Sequence, residues 1–166
     1  MFEWLLDVAA WSQAAIAFGY LGIFLVSFIG TITIFLPLPS FAVIFAAGAV
    51  FNPWAVGIIA GIGAGIGEVT GYAVGRGSRE LIKKKYARHL KRAKAWTRKR
   101  GVFPVIIFFA ATPLPTDVIG ILAGVIHYDI KKFLFASIIG KIIQSLVLAW
   151  AGFYSLEIIL PLFGFT

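Results

Sequence analysis

Three charged side chains stand inside otherwise apolar runs: Glu68 in "GIGEVTGYAVGR", Asp117 in "ATPLPTDVIGILAG" and Lys141 in "ASIIGKIIQS". A charge in an apolar helix is costly and faces protein or a wet path rather than hydrocarbon. The chemistry available to such a set is narrow. Carboxylates can take up and release protons, and an ammonium group can hold an anion such as a lipid phosphate. An intramembrane lysine also needs an acid partner, and Glu68 and Asp117 are the candidates at similar depth. Gln144 lies three residues after Lys141, hence on the same helix face. Ser40 and Thr116 follow P-L-P strings and are suited to cap the helices that begin there. The chain shows no metal-ligand cluster, no glycine-rich phosphate loop with its lysine, and no Ser/His/Asp arrangement. No catalytic residue, metal or cofactor is therefore expected.

The elements that position these groups belong to a membrane protein. Of 166 residues, 60% are hydrophobic and 13% charged, against about half and a quarter in soluble domains. Mean hydropathy is +0.95. The fold expected is all-α: an integral membrane protein forming a single domain over residues 1–166. Cysteine is absent, so the sequence is silent on redox compartment. The N-terminal stretch carries Glu3 and Asp7 and lacks the basic start of a cleaved signal peptide.

Net charge is +8, and 12 of the 15 lysines and arginines fall between Arg76 and Arg100. A basic run can bind nucleic acid, but in a membrane protein it marks a cytoplasmic loop. Ile82, Tyr86, Leu90, Ala93 and Trp96 recur at helical spacing within it, with Arg79, Lys83, Lys84, Lys85, Arg88, Lys91 and Arg92 on the remaining faces. The expectation is an amphipathic helix lying on an anionic leaflet, with lipids and not nucleic acid as partners.

An internal duplication sets the architecture. Pro37, Leu38, Pro39, Ser40, Ala47 and Gly48 recur 76 residues later as Pro113, Leu114, Pro115, Thr116, Ala123 and Gly124, and Glu68 is matched by Gln144. Repeat one covers about residues 1–76, repeat two about 77–152, and an apolar tail follows over 153–166. Residues 54–75 and 130–151 are each long enough for one crossing. The first ends at the basic loop and the second starts at Lys131 and Lys132, so the repeats run in opposite senses, as in many secondary transporters. Only 12 residues separate Arg100 from Pro113; as a helix they reach about 18 Å, roughly half of a core of about 30 Å. The sequence thus predicts re-entrant hairpins over 26–51 and 102–127, with Pro37, Pro39, Pro113 and Pro115 at tips that meet near the midplane. Both termini are placed on the non-cytoplasmic side.

Along the first crossing, Gly57, Gly61, Ala64, Glu68, Gly71 and Gly75 share one side, with Gly65 close by; Gly140 joins Ser137, Lys141 and Gln144 on the second. Such small residues allow close helix packing in lipid.

The strings "FLPLPSFAVIFAAG", "GEVTGYAVGR" and "TPLPTDVIGILAGVIHYDIKKFLFASIIGKIIQSLVLAWAG" resemble the DedA superfamily, also called the SNARE-associated or VTT-domain family, and most closely its short YqaA-like branch. The likeness extends from about Gly19 to Gly152. It implies an inverted-repeat transporter that moves lipids between leaflets, such as polyprenyl-phosphate carriers or phospholipids, often with dependence on the proton-motive force. The chain departs from the family pattern in its charges. Phe41 stands where many bacterial members carry an acid, and Ala110 and Thr116 where many carry arginines, leaving Lys141 as the basic group nearby.

The function expected is transport of an anionic lipid or polyprenyl-phosphate headgroup, with Glu68, Asp117, Lys141, Gln144, Ser40 and Thr116 along the path and proton coupling through the acids. A transporter of small ions or drugs and a non-catalytic membrane scaffold are the alternatives. A homo-oligomer is left open, and a multi-pass position in the cell membrane is expected.

Overall fold

The structure, a computed structural model, describes residues 8–32, 38–78, 101–113 and 117–162, with side chains described over 18–32, 40–78, 101–113 and 117–155. Helix is the regular structure throughout these residues. In chain order the helices are α1 (Val8–Ile32), α2 (Leu38–Val50), α3 (Pro53–Gly67), α4 (Val69–Gly77), α5 (Val102–Ala111), α6 (Asp117–Val125) and α7 (Ile130–Leu162). Two stretches are long and apolar enough to cross a membrane: Pro53–Gly77, which joins α3 and α4 across a break at Glu68, and Ile130–Ser155 within α7.

Local chemistry explains the boundaries. The Asn52 side chain accepts hydrogen bonds from the Trp54 and Ala55 amides, and Pro53 opens α3, where its missing N–H costs nothing. Asp129 caps α7 in the same way through the Lys132 amide. Gly101, at φ 80°, precedes α5 in a backbone geometry that favours glycine. At the end of α6 the His127 amide donates to Gly124 and the Tyr128 amide to Ala123. This is a Schellman closure, with His127 at φ 56° in the left-handed position.

Several expectations change. Helix α2 begins at Leu38, so Ser40 stands inside its first turn and does not cap it; Pro39 is tolerated there because the first-turn amides lack helical partners. The hydroxyl of Ser40 instead lies against Gly30 of α1. Helix α1 is 25 residues long and starts well before residue 26, since no proline interrupts Val8–Ile32. Its counterpart α5 has 10 residues. Helix α7 continues through residue 155 to Leu162. Ser78 closes α4, its hydroxyl donating to the Val74 carbonyl. The basic segment 79–100, with Arg79, Lys83, Lys84, Lys85, Arg88, Lys91 and Arg92, lies outside the described residues, as do Pro37, Leu114, Pro115 and Thr116. Pro113 is described and exposed.

Packing follows the glycines. Gly57, Gly61 and Gly65 meet Leu146, Ile142 and Ile138, which sets α3 antiparallel to α7. Gly63 and Gly67 lie against Phe24 and Phe28 of α1. Gly48 and Gly152 join α2 to α7 through Ala149 and Phe45, while Gly75 and Gly124 join α4 to α6 through Ile121 and Tyr72. A side chain at any of these positions would collide with backbone or with a packed neighbour. The predicted glycine stripe is thus split: its first half serves α7, and Gly71 and Gly75 serve α6.

Two apolar clusters result. Ile23, Ile44, Ala47, Val56, Ala60 and Ala149 join α1, α2, α3 and α7. Tyr72, Ile106, Ala123, Phe133 and Ala136 join α4, α5, α6 and α7. Large apolar side chains also cover the outside, including Phe18 at 74% exposure, Phe108 at 63% and Val147 at 65%. Soluble monomers rarely present such continuous apolar surface, and lipid is the solvent that suits it.

Candidate functional site: a buried ion pair between two crossing helices

Glu68 occupies the break between α3 and α4, and Lys141 lies midway along α7. Lysine side chains on a helix lean toward its N-terminus, which carries the Lys141 ammonium group back toward the level of Glu68. The two meet at 3.1 Å between Nζ and Oε1, with side chains 8% and 2% exposed. Gln144, one turn further along α7, is buried beside them. Its Oε1 accepts from Lys141 Nζ at 3.4 Å, and its Nε2 donates to the Thr112 carbonyl at 2.8 Å. Thr112 closes the C-terminus of α5, where carbonyls lack helical partners. A polar chain therefore runs Glu68–Lys141–Gln144–Thr112 and ends next to Pro113.

Glu68 also lines a crevice with Ser137 and Phe133 of α7, Ile106 and Ala110 of α5, and Ile119 and Gly120 of α6. Apart from Glu68 and Ser137 its walls are apolar or glycine. The crevice is too narrow to hold a water molecule. Asp117, half-buried at the start of α6, has its backbone beside Gly71 and lies within electrostatic reach of both Glu68 and Lys141. The glycine contacts explain this placement. Gly71 and Gly120 bring α4 and α6 together directly beside the break at Glu68. Tyr72 then fastens this pair of helices, its hydroxyl donating to the Tyr128 carbonyl at 2.5 Å.

Of the residues expected along the path, Glu68, Lys141 and Gln144 form one contact group and Asp117 is its close neighbour. Ser40 is buried elsewhere, between α2 and α1. Gly140 does not face the ion pair, since it packs on Ile107 and Ala110 of α5. Sequence reasoning missed the Thr112 carbonyl and the Tyr72 clasp. No residue type announces a backbone acceptor, and the two clasp partners are 56 positions apart. It also missed Ser27, buried in α1, whose Oγ is without a hydrogen-bond partner among the described residues.

An all-helical chain with apolar faces outside and an ion pair closed between crossing helices defines a membrane protein built around a polar core. A family model for the VTT domain matches residues 38–154. The chain therefore belongs to the VTT-domain family, the DedA/SNARE-associated family of membrane proteins. No curated protein and no solved structure matches it.

Proposed function

We propose that this protein is a transporter, not an enzyme, that moves an anionic lipid headgroup, such as a phospholipid or polyprenyl phosphate, between leaflets of the cell membrane with proton coupling. The observation that carries this reading is the closed Glu68–Lys141 pair at the wall of an apolar crevice. Buried pairs are weak stabilisers, because desolvation consumes much of their attraction. Their retention inside an apolar core fits a working part. With Glu68, Asp117 and Lys141 all ionised, the cluster carries one excess negative charge and repels an anion. A proton on Glu68 releases Lys141, which can then take a phosphate oxygen. Release of the anion lets Lys141 return and expels the proton. The apolar walls suit a lipid better than a small hydrophilic solute.

The packing supports an inverted repeat. Helix α1 lies on α3 as α5 lies on α7, and α2 lies on α7 as α6 lies on α4. Gly63 and Gly140 each abut the first arm of their own half, at the Phe24 and Ile107 carbonyls. Gly75 and Gly152 each abut the second arm of the other half, at the Ile121 and Phe45 carbonyls. Both glycine pairs are 77 residues apart, and both crossings open on a capping Asn or Asp at the same spacing, Asn52 and Asp129. Such repeats let a central site face either side in turn.

The test is leaflet exchange of a panel of labelled lipids in vesicles holding the purified protein. Anionic lipids should cross faster with protein than without, and Lys141→Met should abolish the gain. Asp117→Asn and Glu68→Gln should bind lipid but lose the dependence of exchange on pH. Equal rates with and without protein for every lipid would overturn the reading.

A further inference from the structure

We propose that Gln144 is a positioning residue that transmits the state of the Glu68–Lys141 pair to the C-terminal end of α5 at Thr112. The inference builds on the transport role proposed for that pair and assigns its mechanical output. It rests on two bonds made by opposite ends of one amide. Oε1 accepts from Lys141 Nζ, and Nε2 donates to the Thr112 carbonyl.

The amide is planar, so its two ends cannot turn separately. The side chain is also buried, at 6% exposure, where an unmade bond is not replaced by water. The two contacts differ in length. The 2.8 Å bond to Thr112 is short, while the 3.4 Å bond from Lys141 is at the edge of bonding range. The amide is thus held firmly by the α5 terminus and loosely by the ammonium group. A Lys141 that leaves Glu68 can shorten its 3.4 Å contact with Oε1, and the tightened contact re-orients the amide plane. The Thr112 carbonyl must then follow or lose its donor. Thr112 can follow: it sits in extended geometry at φ −100° and ψ 155°, immediately before exposed Pro113. Beyond Pro113 lies Asp117, the other acid of the cluster. A methionine at position 144 would fill the same volume and carry neither bond, so the polar link, not the packing, is the feature in question.

The experiment uses the full chain in lipid vesicles with an environment-sensitive fluorophore on Val118→Cys. The chain has no other cysteine, and Val118 is 52% exposed in the first turn of α6. The joint substitution Glu68→Gln with Lys141→Met removes the pair without leaving a buried lone charge. It is compared in two backgrounds, Gln144 and Gln144→Met. Removing the pair should shift the emission when Gln144 is present, and the shift should shrink at least about twofold when it is not, a non-additive cycle of the kind contacting residues give. Gln144→Asn provides a second background, because it keeps an amide one methylene too short to hold both ends; it should give the same loss. Shifts of equal size in all three backgrounds would overturn the inference. The readout needs no transport. Failure of leaflet exchange with a non-additive cycle would count against the transport reading alone, and normal exchange with an additive cycle against the role of Gln144 alone.

Discussion

Lys141 and Glu68 have each given up water for the other. Removing Lys141 alone takes the ion-pair partner from a buried carboxylate, so Lys141→Met should cost on the order of 3–5 kcal/mol. The double neutral variant with Glu68→Gln should recover most of this, because neither side chain then carries an unpaired charge. Thermal unfolding of the two variants in the same detergent checks it; a double variant no more stable than the single one would remove the ion pair from the account. Ser27 offers the opposite case. Its hydroxyl is 1% exposed and unpartnered among the described residues, and an unmet polar group in a core costs about 1 kcal/mol or more. Ser27→Ala should therefore raise the unfolding temperature by roughly 2–4 °C in a chain of this size. A fall would mean that the hydroxyl has a task in the working cycle. The ion pair was legible in the sequence because a lysine in an apolar run demands an acid and the chain offers few. Gln144 was legible as a neighbour of Lys141 and as the counterpart of Glu68 at the 76-residue offset. Its second bond, to a backbone carbonyl 32 residues away, depends on how α5 ends.

At the level of elements, the left-handed residue that closes α6 is a histidine. Glycine adopts that geometry without steric cost, so His127→Gly should stabilise the protein by about 1 kcal/mol. Denaturant or thermal unfolding would show it, and a loss of stability would mean that the contacts His127 makes are worth more than the strain. Helix contacts are less forgiving. Gly61 sits on the backbone of Ile142, and Gly61→Leu should force α3 from α7, costing several kcal/mol or preventing folding. Yield of monodisperse protein reports the outcome. The crossings themselves were readable, since 20 or more apolar residues announce a span. What escaped was the use of the glycines. A helical wheel shows which residues share a face but not which helix each one meets, and beyond Glu68 the stripe passes from α7 to α6. The start of α2 escaped for a related reason: Ser40 looks like a cap until Pro39 is recognised as a first-turn residue.

For the whole molecule, orientation follows from charge. The segment 76–100 should lie on the cytoplasmic side. A cysteine at Arg88 should react with a membrane-impermeant reagent only after cells are opened, and one at Trp54, exposed at the other end of the crossing, should react from outside. The reverse pattern would invert the molecule. The proposed repeat rests on a 76-residue offset in the sequence that runs up to Gly48 and Gly124. Beyond the turn the packing runs at 77, as Gly63 with Gly140 and Gly75 with Gly152 show. The extra residue lies in the turn that His127 bends into the left-handed region.

That single residue has the effect of a slipped reading frame. Each residue of α-helix advances the side chains by about 100°, so a one-residue difference between the halves changes which side chain faces the midline. With the frame slipped, Lys141 occupies the place of Ala64, Gln144 that of Gly67, and Ser145 that of Glu68. A chain that merely repeated its first half would set alanine and glycine where the second half offers an ammonium group and an amide, and the carboxylate would lack the ammonium group that pairs with it. On the proposed repeat, the charge between the two halves exists only where their sequences differ.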